Sequence, residues 1–292
     1  MRSFLCFDDW LEFSKSDDYL RAKTLLRRVN LKFWLSPQRT SQLFGICEVC
    51  GLETYFSIDD KHSIRNNLGG VSQSLFRKKV NFRERLECSH CHLNQRMRSA
   101  VALVNHVLNK GEKSEVWIQE AITPLWRIFQ DRYPGLVGSE YFGSEVISGH
   151  FVDGVRHEDA TSASFESDSL DGVLSFDVLE HVPSFQAAFD ETFRVLRKGG
   201  VFCWSAPFNL QNPTNEVRAF VNNEGQIIHI LTPEYHGDPV NPDEGILCFQ
   251  TFGWEVLENL RRAGFRDVKL FWHNDPLKGI LSLENVFILG HK

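Results

Sequence analysis

Apolar residues recur at helical spacing through the first part of the chain: Trp10, Leu11 and Phe13, then Tyr19, Leu20, Leu25, Leu26, Val29 and Phe33. Positions three and four apart share one face of a helix, so residues 1–45 are expected to form a helical segment. That periodicity is lost over residues 46–98, where two Cys-rich turns flank a polar, Gly-containing stretch at 57–74. Helical spacing returns at 99–110 and Gly111 ends it. From Glu115 onward the pattern changes again. Short apolar runs at 116–118, 136–139, 154–157, 172–176, 201–205, 267–272 and 286–289 alternate with segments of helical spacing. Thr123-Pro124 and Pro183 supply helix starts, Gly199-Gly200 a stop, and 254–263 a late helix. Strands alternating with helices predict an α/β domain over 99–292 built on a mostly parallel sheet with helices on both faces.

Composition narrows the class. The chain has 292 residues, 42% hydrophobic and 24% charged, which excludes collagenous and disordered chains. No apolar run approaches the ~18 residues of a membrane helix, and Asp8 and Asp9 interrupt the apolar opening before a leader core forms. A soluble, cytoplasmic protein without membrane partners is expected. Net charge changes the picture more. Residues 1–110 hold 18 Lys and Arg against 11 Asp and Glu, whereas 111–292 hold 14 against 27, so +7 and −13 sum to −6. A basic N-terminal third on an acidic body argues for two functional units.

The cysteines carry the first chemistry. Cys47-Glu48-Val49-Cys50 and Cys88-Ser89-His90-Cys91 are two Cys-x2-Cys pairs, whereas Cys6, Cys203 and Cys248 stand alone. Without a secretory leader such pairs favour a metal over disulfides. Four thiolates converging at ~2.3 Å suit a structural, tetrahedral Zn²⁺, so residues 46–98 read as a zinc-ribbon-like module with a long insertion between its two halves. Four cysteines close such a site, with His62, His90 and His92 as substitute ligands.

Farther along, Asp171-Gly172-Val173-Leu174-Ser175-Phe176-Asp177-Val178-Leu179-Glu180-His181-Val182-Pro183 precedes Arg194-Val195-Leu196-Arg197-Lys198-Gly199-Gly200. This pair of motifs resembles class I S-adenosylmethionine-dependent methyltransferases around their fourth strand, following helix and fifth strand, and the likeness covers about residues 99–292. It implies a Rossmann-like, seven-stranded sheet whose last strand is antiparallel, with S-adenosylmethionine beyond the carboxyl ends of the strands. The resemblance further implies that Glu140 chelates the ribose hydroxyls and that Tyr141 lies against adenine. Asp159 and Ala160 then read the adenine edge, and Glu120, Ala121, Phe176 and Asp177 complete the cofactor site. The first loop departs from the family. Where the family has Glu-x-Gly-x-Gly-x-Gly, this chain has Glu120-Ala121-Ile122-Thr123-Pro124, without the glycines that let backbone approach a ligand.

An insertion at 207–250 follows the fifth strand, where this fold commonly builds a lid over the acceptor. It carries His229 and the run Glu234-Tyr235-His236-Gly237-Asp238-Pro239. Gly237 and Pro239 predict a turn presenting His236 as general base, with Tyr235 and Asp238 orienting and His229 as substitute. Such residues suit a polar small molecule, glycan or natural product methylated on a hydroxyl or nitrogen. Two other readings stand beside it. One is an RNA base methyltransferase using Arg77, Lys78, Lys79, Arg83, Arg85, Arg96 and Arg98 on phosphates, a run read in preference as a solvated face. The other is a degenerate, non-catalytic binding protein.

Overall fold

The N-terminal periodicity is realised as two helices, Phe7–Phe13 and Asp17–Leu35. Ser16 caps the second, its hydroxyl accepting the Tyr19 N–H, and Asp17 and Asp18 occupy the dipole-favoured first turn. Its buried face is Tyr19, Ala22, Leu26 and Phe33. The computed structural model describes residues 1–38, 40–60, 64, 65, 78–108, 114–238, 240 and 243–292. His62, Arg77, Lys110, Gly111, Pro239 and most of 57–74 lie outside the described residues, as do the side chains of Lys78 and Lys79.

Two units divide the chain. The first comprises Met1–Arg2, Asp8–Leu103 and Trp272–Asn285. Residues 41–45, expected to be helical, instead open the strand Ser41–Ile46. That strand pairs antiparallel with Glu53–Ile58, which pairs with Glu87–Cys88. Alternation across Leu43, Gly45 and Thr54, Phe56, Ile58 buries one face of this small sheet, the period-two pattern that outweighs helical spacing here. Its core joins Leu26 and Phe33 to Phe56, Ile58, Val80, Phe82, Leu86 and Leu281, the last from a return segment near the C-terminus. Arg98 is fully buried beneath it, its guanidinium 4.1 Å from the Phe56 ring centroid.

The second unit comprises Ser3–Phe7, Val104–Phe271 and Val286–Lys292. Its seven-stranded sheet runs in the order Arg2–Phe4, Arg266–Trp272, Val286–His291, Leu196–Ser205, Leu170–Phe176, Val116–Ile118 and Leu136–Gly138. Leu170–Phe176 is parallel to both neighbours, and Val116–Ile118 is parallel to Leu136–Gly138. Val286–His291 is antiparallel to Leu196–Ser205, the arrangement expected of the last strand. This is the Rossmann-like, seven-stranded sheet expected from the sequence.

Membership of the sheet differs from expectation at both edges. The run 154–157 does not form a full strand: Val155–Arg156 folds back on Phe151–Val152 around Asp153 and Gly154, both at positive φ, and only the Glu140–His157 bridge extends the parallel ladder. Arg2–Phe4, not expected as a strand, supplies the opposite edge. Gly199 and Gly200 are not a helix stop. Helix Phe185–Val195 ends directly into strand Leu196–Ser205, and the glycines lie in a bulge where the register shifts between Leu170–Leu196 and Gly172–Val201.

The insertion forms three short antiparallel ladders: Glu216–Val217 with Gln250–Thr251, Ala219–Val221 with Ile227–His229, and Tyr235–His236 with Ile246–Leu247. No helix among the described residues is long and apolar enough to cross a membrane.

Candidate functional site

The cysteine pairs fold into two matching turns. In each, the first Cys donates its N–H to the carbonyl five residues on (Cys47 to Leu52, 2.9 Å; Cys88 to Leu93, 3.1 Å). In each, its own carbonyl accepts from the residue after the second Cys (Gly51, 2.7 Å; His92, 3.0 Å). Gly51 and His92 both have positive φ, which closes each turn and points two thiols to one side. Cys47 Sγ lies 3.8 Å from Cys91 Sγ, and Cys50 Sγ 4.0 Å from Cys88 Sγ; all four sulfurs fall within 4.8 Å of one another. The edge of a tetrahedron with ~2.3 Å bonds is about 3.8 Å, so the four sulfurs already have the size of a zinc site. The Cys91 thiol, working against burial, brings the Cys47 pKa down to about 4 and so favours the thiolate a metal requires. His90 and His92 are exposed and are not among the four, and His92 pairs with Glu87 at 3.5 Å.

At the carboxyl ends of the sheet strands the expected cofactor residues fall on one side of the second unit. Glu140 follows Leu136–Gly138, and its Oε1 accepts the backbone N–H of Ala121 (2.7 Å) and Ile122 (3.1 Å). The glycine-poor loop is therefore held by a carboxylate. Close approach is met from the neighbouring strand, where a side chain at Gly138 would stand 2.8 Å from the Glu120 carbonyl. Thr123 donates its hydroxyl proton to Glu120 and caps the following helix through the Trp126 N–H at 3.2 Å. Burial raises the Glu140 pKa, the two amides oppose this, and the charge of Asp238 adds to it.

The remaining expected positions are less uniform. Tyr141 is half exposed with its ring 5.4 Å from His157. Asp159 Oδ1 accepts from both the N–H and hydroxyl of Thr161 at 2.7 Å, so one oxygen is already engaged in a local turn, and Ala160 follows it half-buried. Phe176 is buried, and Asp177, at positive φ, accepts from the Ser205 hydroxyl at 2.9 Å. Residue types alone did not single out Gln119. It follows the strand Val116–Ile118, is buried, and neither its amide nitrogen nor its amide oxygen has a hydrogen-bond partner among the described residues.

Of the expected acceptor residues, only His236 joins a cluster. Its Nδ1 is 3.6 Å from Glu180 Oε1, and its Nε2 3.3 Å from Glu234 Oε1. His181 Nε2 is 3.6 Å from the same Glu180 oxygen, and Cys248 Sγ is 3.8 Å from His181 Nδ1. Burial alone would lower the His236 pKa, but Cys248, Glu180 and Glu234 outweigh it and push it up to about 12. Tyr235 is exposed, Asp238 accepts the Val240 N–H at 2.7 Å, and His229 sits exposed on its own hairpin. Glu180, His181 and Cys248 were outside the expected acid–base set; the distance between His181 and Cys248 in sequence hides their convergence.

The profile of the family described as "Methyltransferase domain" matches residues 142–204, which span the fourth strand, its helix and most of the fifth strand. Solved structures similar to the chain include an S-adenosylmethionine-dependent methyltransferase from Mesorhizobium loti, 15% identical over 66% of this chain and 96% of its own, with a TM-score of 0.42. A phosphoethanolamine N-methyltransferase from Haemonchus contortus is also 15% identical, over 66% and 52%, at 0.38. A Thermotoga maritima methyltransferase is 17% identical over 67% and 89%, at 0.35. No curated protein matches the chain in sequence. The matched stretch contains the motifs on which the likeness to class I S-adenosylmethionine-dependent methyltransferases was read.

Proposed function

We propose that the chain transfers a methyl group from S-adenosylmethionine to a hydroxyl or nitrogen of a polar small molecule, glycan or natural product. The observation that supports this most is the hold of Glu140, at the expected cofactor position, on the first loop through the Ala121 and Ile122 N–H groups. Glu140 Oε1 is spent on backbone amides, which leaves the other oxygen as acceptor for a ribose diol. Gln119, with both ends of its amide unpaired, fits a polar cofactor group. Tyr141, Asp159, Ala160, Phe176 and Asp177 complete the binding side, with Glu120 and Ala121 in the loop. When bound, the cofactor supplies an electrophilic sulfonium methyl. The chain's own task is to align an acceptor with it, exclude water and handle the acceptor's proton.

That proton handling is assigned to the cluster around His236, with Tyr235 and Asp238 at its margin and His229 as the more remote alternative. The four cysteines are proposed to hold one structural Zn²⁺, as their spacing fits. The test is transfer of labelled methyl to hydroxylated small molecules and to RNA by the full chain. Labelling of the former supports the reading. Labelling of RNA alone contradicts the choice of acceptor, and labelling of neither acceptor with no cofactor binding contradicts methyl transfer.

A further inference from the structure

Glu180 is fully buried, and neither carboxylate oxygen has a hydrogen-bond partner. A buried carboxylate costs several kcal/mol unless positive charge close by compensates it. What surrounds it is a set of metal-ligand side chains. The ligand atoms of His181, His236 and Cys248 lie within 4.8 Å of one another, and Glu180 Oε1 is 3.6 Å from a nitrogen of each imidazole.

The backbone holds these residues in place. Leu179–His181 is a 3₁₀ turn beyond the carboxyl end of strand Leu170–Phe176. The Glu180 carbonyl accepts the Phe249 N–H at 2.8 Å, and the Gln250 side chain donates to the carbonyls of Leu179 and Val182. His236 and Cys248 come from facing arms of one ladder, where Tyr235 pairs with Leu247 and Cys248 N–H donates to the Glu234 carbonyl at 2.9 Å. Three segments distant in sequence thus converge on a fixed frame. Each ring also has an oxygen partner besides Glu180: His181 Nδ1 is 2.9 Å from the Leu247 carbonyl, and His236 Nε2 is 3.3 Å from Glu234. Outer oxygen partners of this kind fix the tautomer and orientation of metal-bound histidines.

We propose that His181, His236 and Cys248 bind a divalent transition-metal ion, Zn²⁺ by its preference for nitrogen and sulfur, with Glu180 as the carboxylate that balances its charge. One thiolate and one carboxylate neutralise a dication. Unlike the four-cysteine site, three side-chain ligands leave a coordination position for water or an acceptor oxygen, which becomes more acidic there. Ion binding stands on this geometry alone; its consequence for the acceptor rests on the methyl-transfer reading.

The test is zinc content of the full chain after equilibration with Zn²⁺ and desalting, compared with Cys248→Ser and His236→Gln. Each variant is expected to hold about one equivalent less than wild type, whether or not the four-cysteine site is filled. Equal content in wild type and both folded variants overturns the proposal. If a variant fails to fold, Co²⁺ is added to zinc-loaded wild type freed of loosely bound metal by brief chelation. A tetrahedral cobalt spectrum with a single-thiolate charge-transfer band supports the site, and its absence overturns it. Titration with S-adenosylhomocysteine on the same samples tests the methyl-transfer reading separately, because zinc content does not depend on cofactor affinity.

Discussion

Glu140 accepts the backbone N–H of Ala121 at 2.7 Å, so the carboxylate that ends the second strand also shapes the loop that follows the first. Glu140→Ala should therefore weaken S-adenosylhomocysteine binding at least tenfold, about 1.4 kcal/mol. Calorimetry reads this directly. Normal affinity in that variant would remove Glu140 from the cofactor site.

Replacing Cys88 with Ser removes one corner of the four-sulfur cluster and exposes three thiols to an incomplete site. Metal-dependent stability of residues 46–98 should fall sharply, seen as proteolysis within that stretch and a lower melting temperature. Cys203→Ser is the control, since Cys203 is buried in the central sheet away from any cluster. Equal losses would indicate that Cys88 only fills space.

His236 sits where the insertion meets Glu180. His236→Ala should lower turnover by ~10²–10⁴-fold while leaving cofactor affinity nearly unchanged. Turnover above a third of wild type would exclude it from the chemistry.

Arg98 donates to the carbonyls of Leu86, Lys278 and Gly279 from a fully buried position. Arg98→Met keeps much of the volume but strands three carbonyls, and should cost about 3 kcal/mol or more. Denaturant unfolding checks this. A loss under about 1 kcal/mol would mean that the carbonyls find other partners.

His273 titrates in the opposite sense to a paired histidine. Burial first, then the positive charges of the Met1 amino group, Lys278 and Arg98, lower its pKa from 6.5 to about 3. The folded chain thus binds this proton less readily than the unfolded chain. Its contribution to stability is complete above about pH 6.5 and is lost as pH falls toward 3, by up to ~1.4 kcal/mol per pH unit. Urea unfolding at pH 7 and pH 5 should show a smaller decline for His273→Gln than for wild type; parallel declines would contradict this.

Much of the fold was legible in local pattern. The run Val116–Ile118, the motif through Asp177 and the Cys-x2-Cys turns depend on neighbours a few residues apart, and the structure realises each. Edges were not legible. Val155–Arg156 has strand-like residues but two consecutive positive-φ positions turn it back on Phe151–Val152, and the three residues Arg2–Phe4, with one apolar side chain, are too few to signal a strand. Sites followed the same rule. Glu140 was read from its place after the second strand, as the resemblance implies, whereas Glu180, His181 and Cys248 meet only because the Tyr235–His236 ladder folds onto the 3₁₀ turn. Gln119 carried no signal beyond its position, since an unpaired amide is visible only once its surroundings are known.

The most direct measurement is calorimetric titration of the full chain with S-adenosylhomocysteine. The account predicts saturable binding at a single site in the micromolar range, about −8 kcal/mol. Absence of binding up to millimolar ligand would contradict it, and would mean that the loop Glu120–Pro124 closes the crevice instead of lining it.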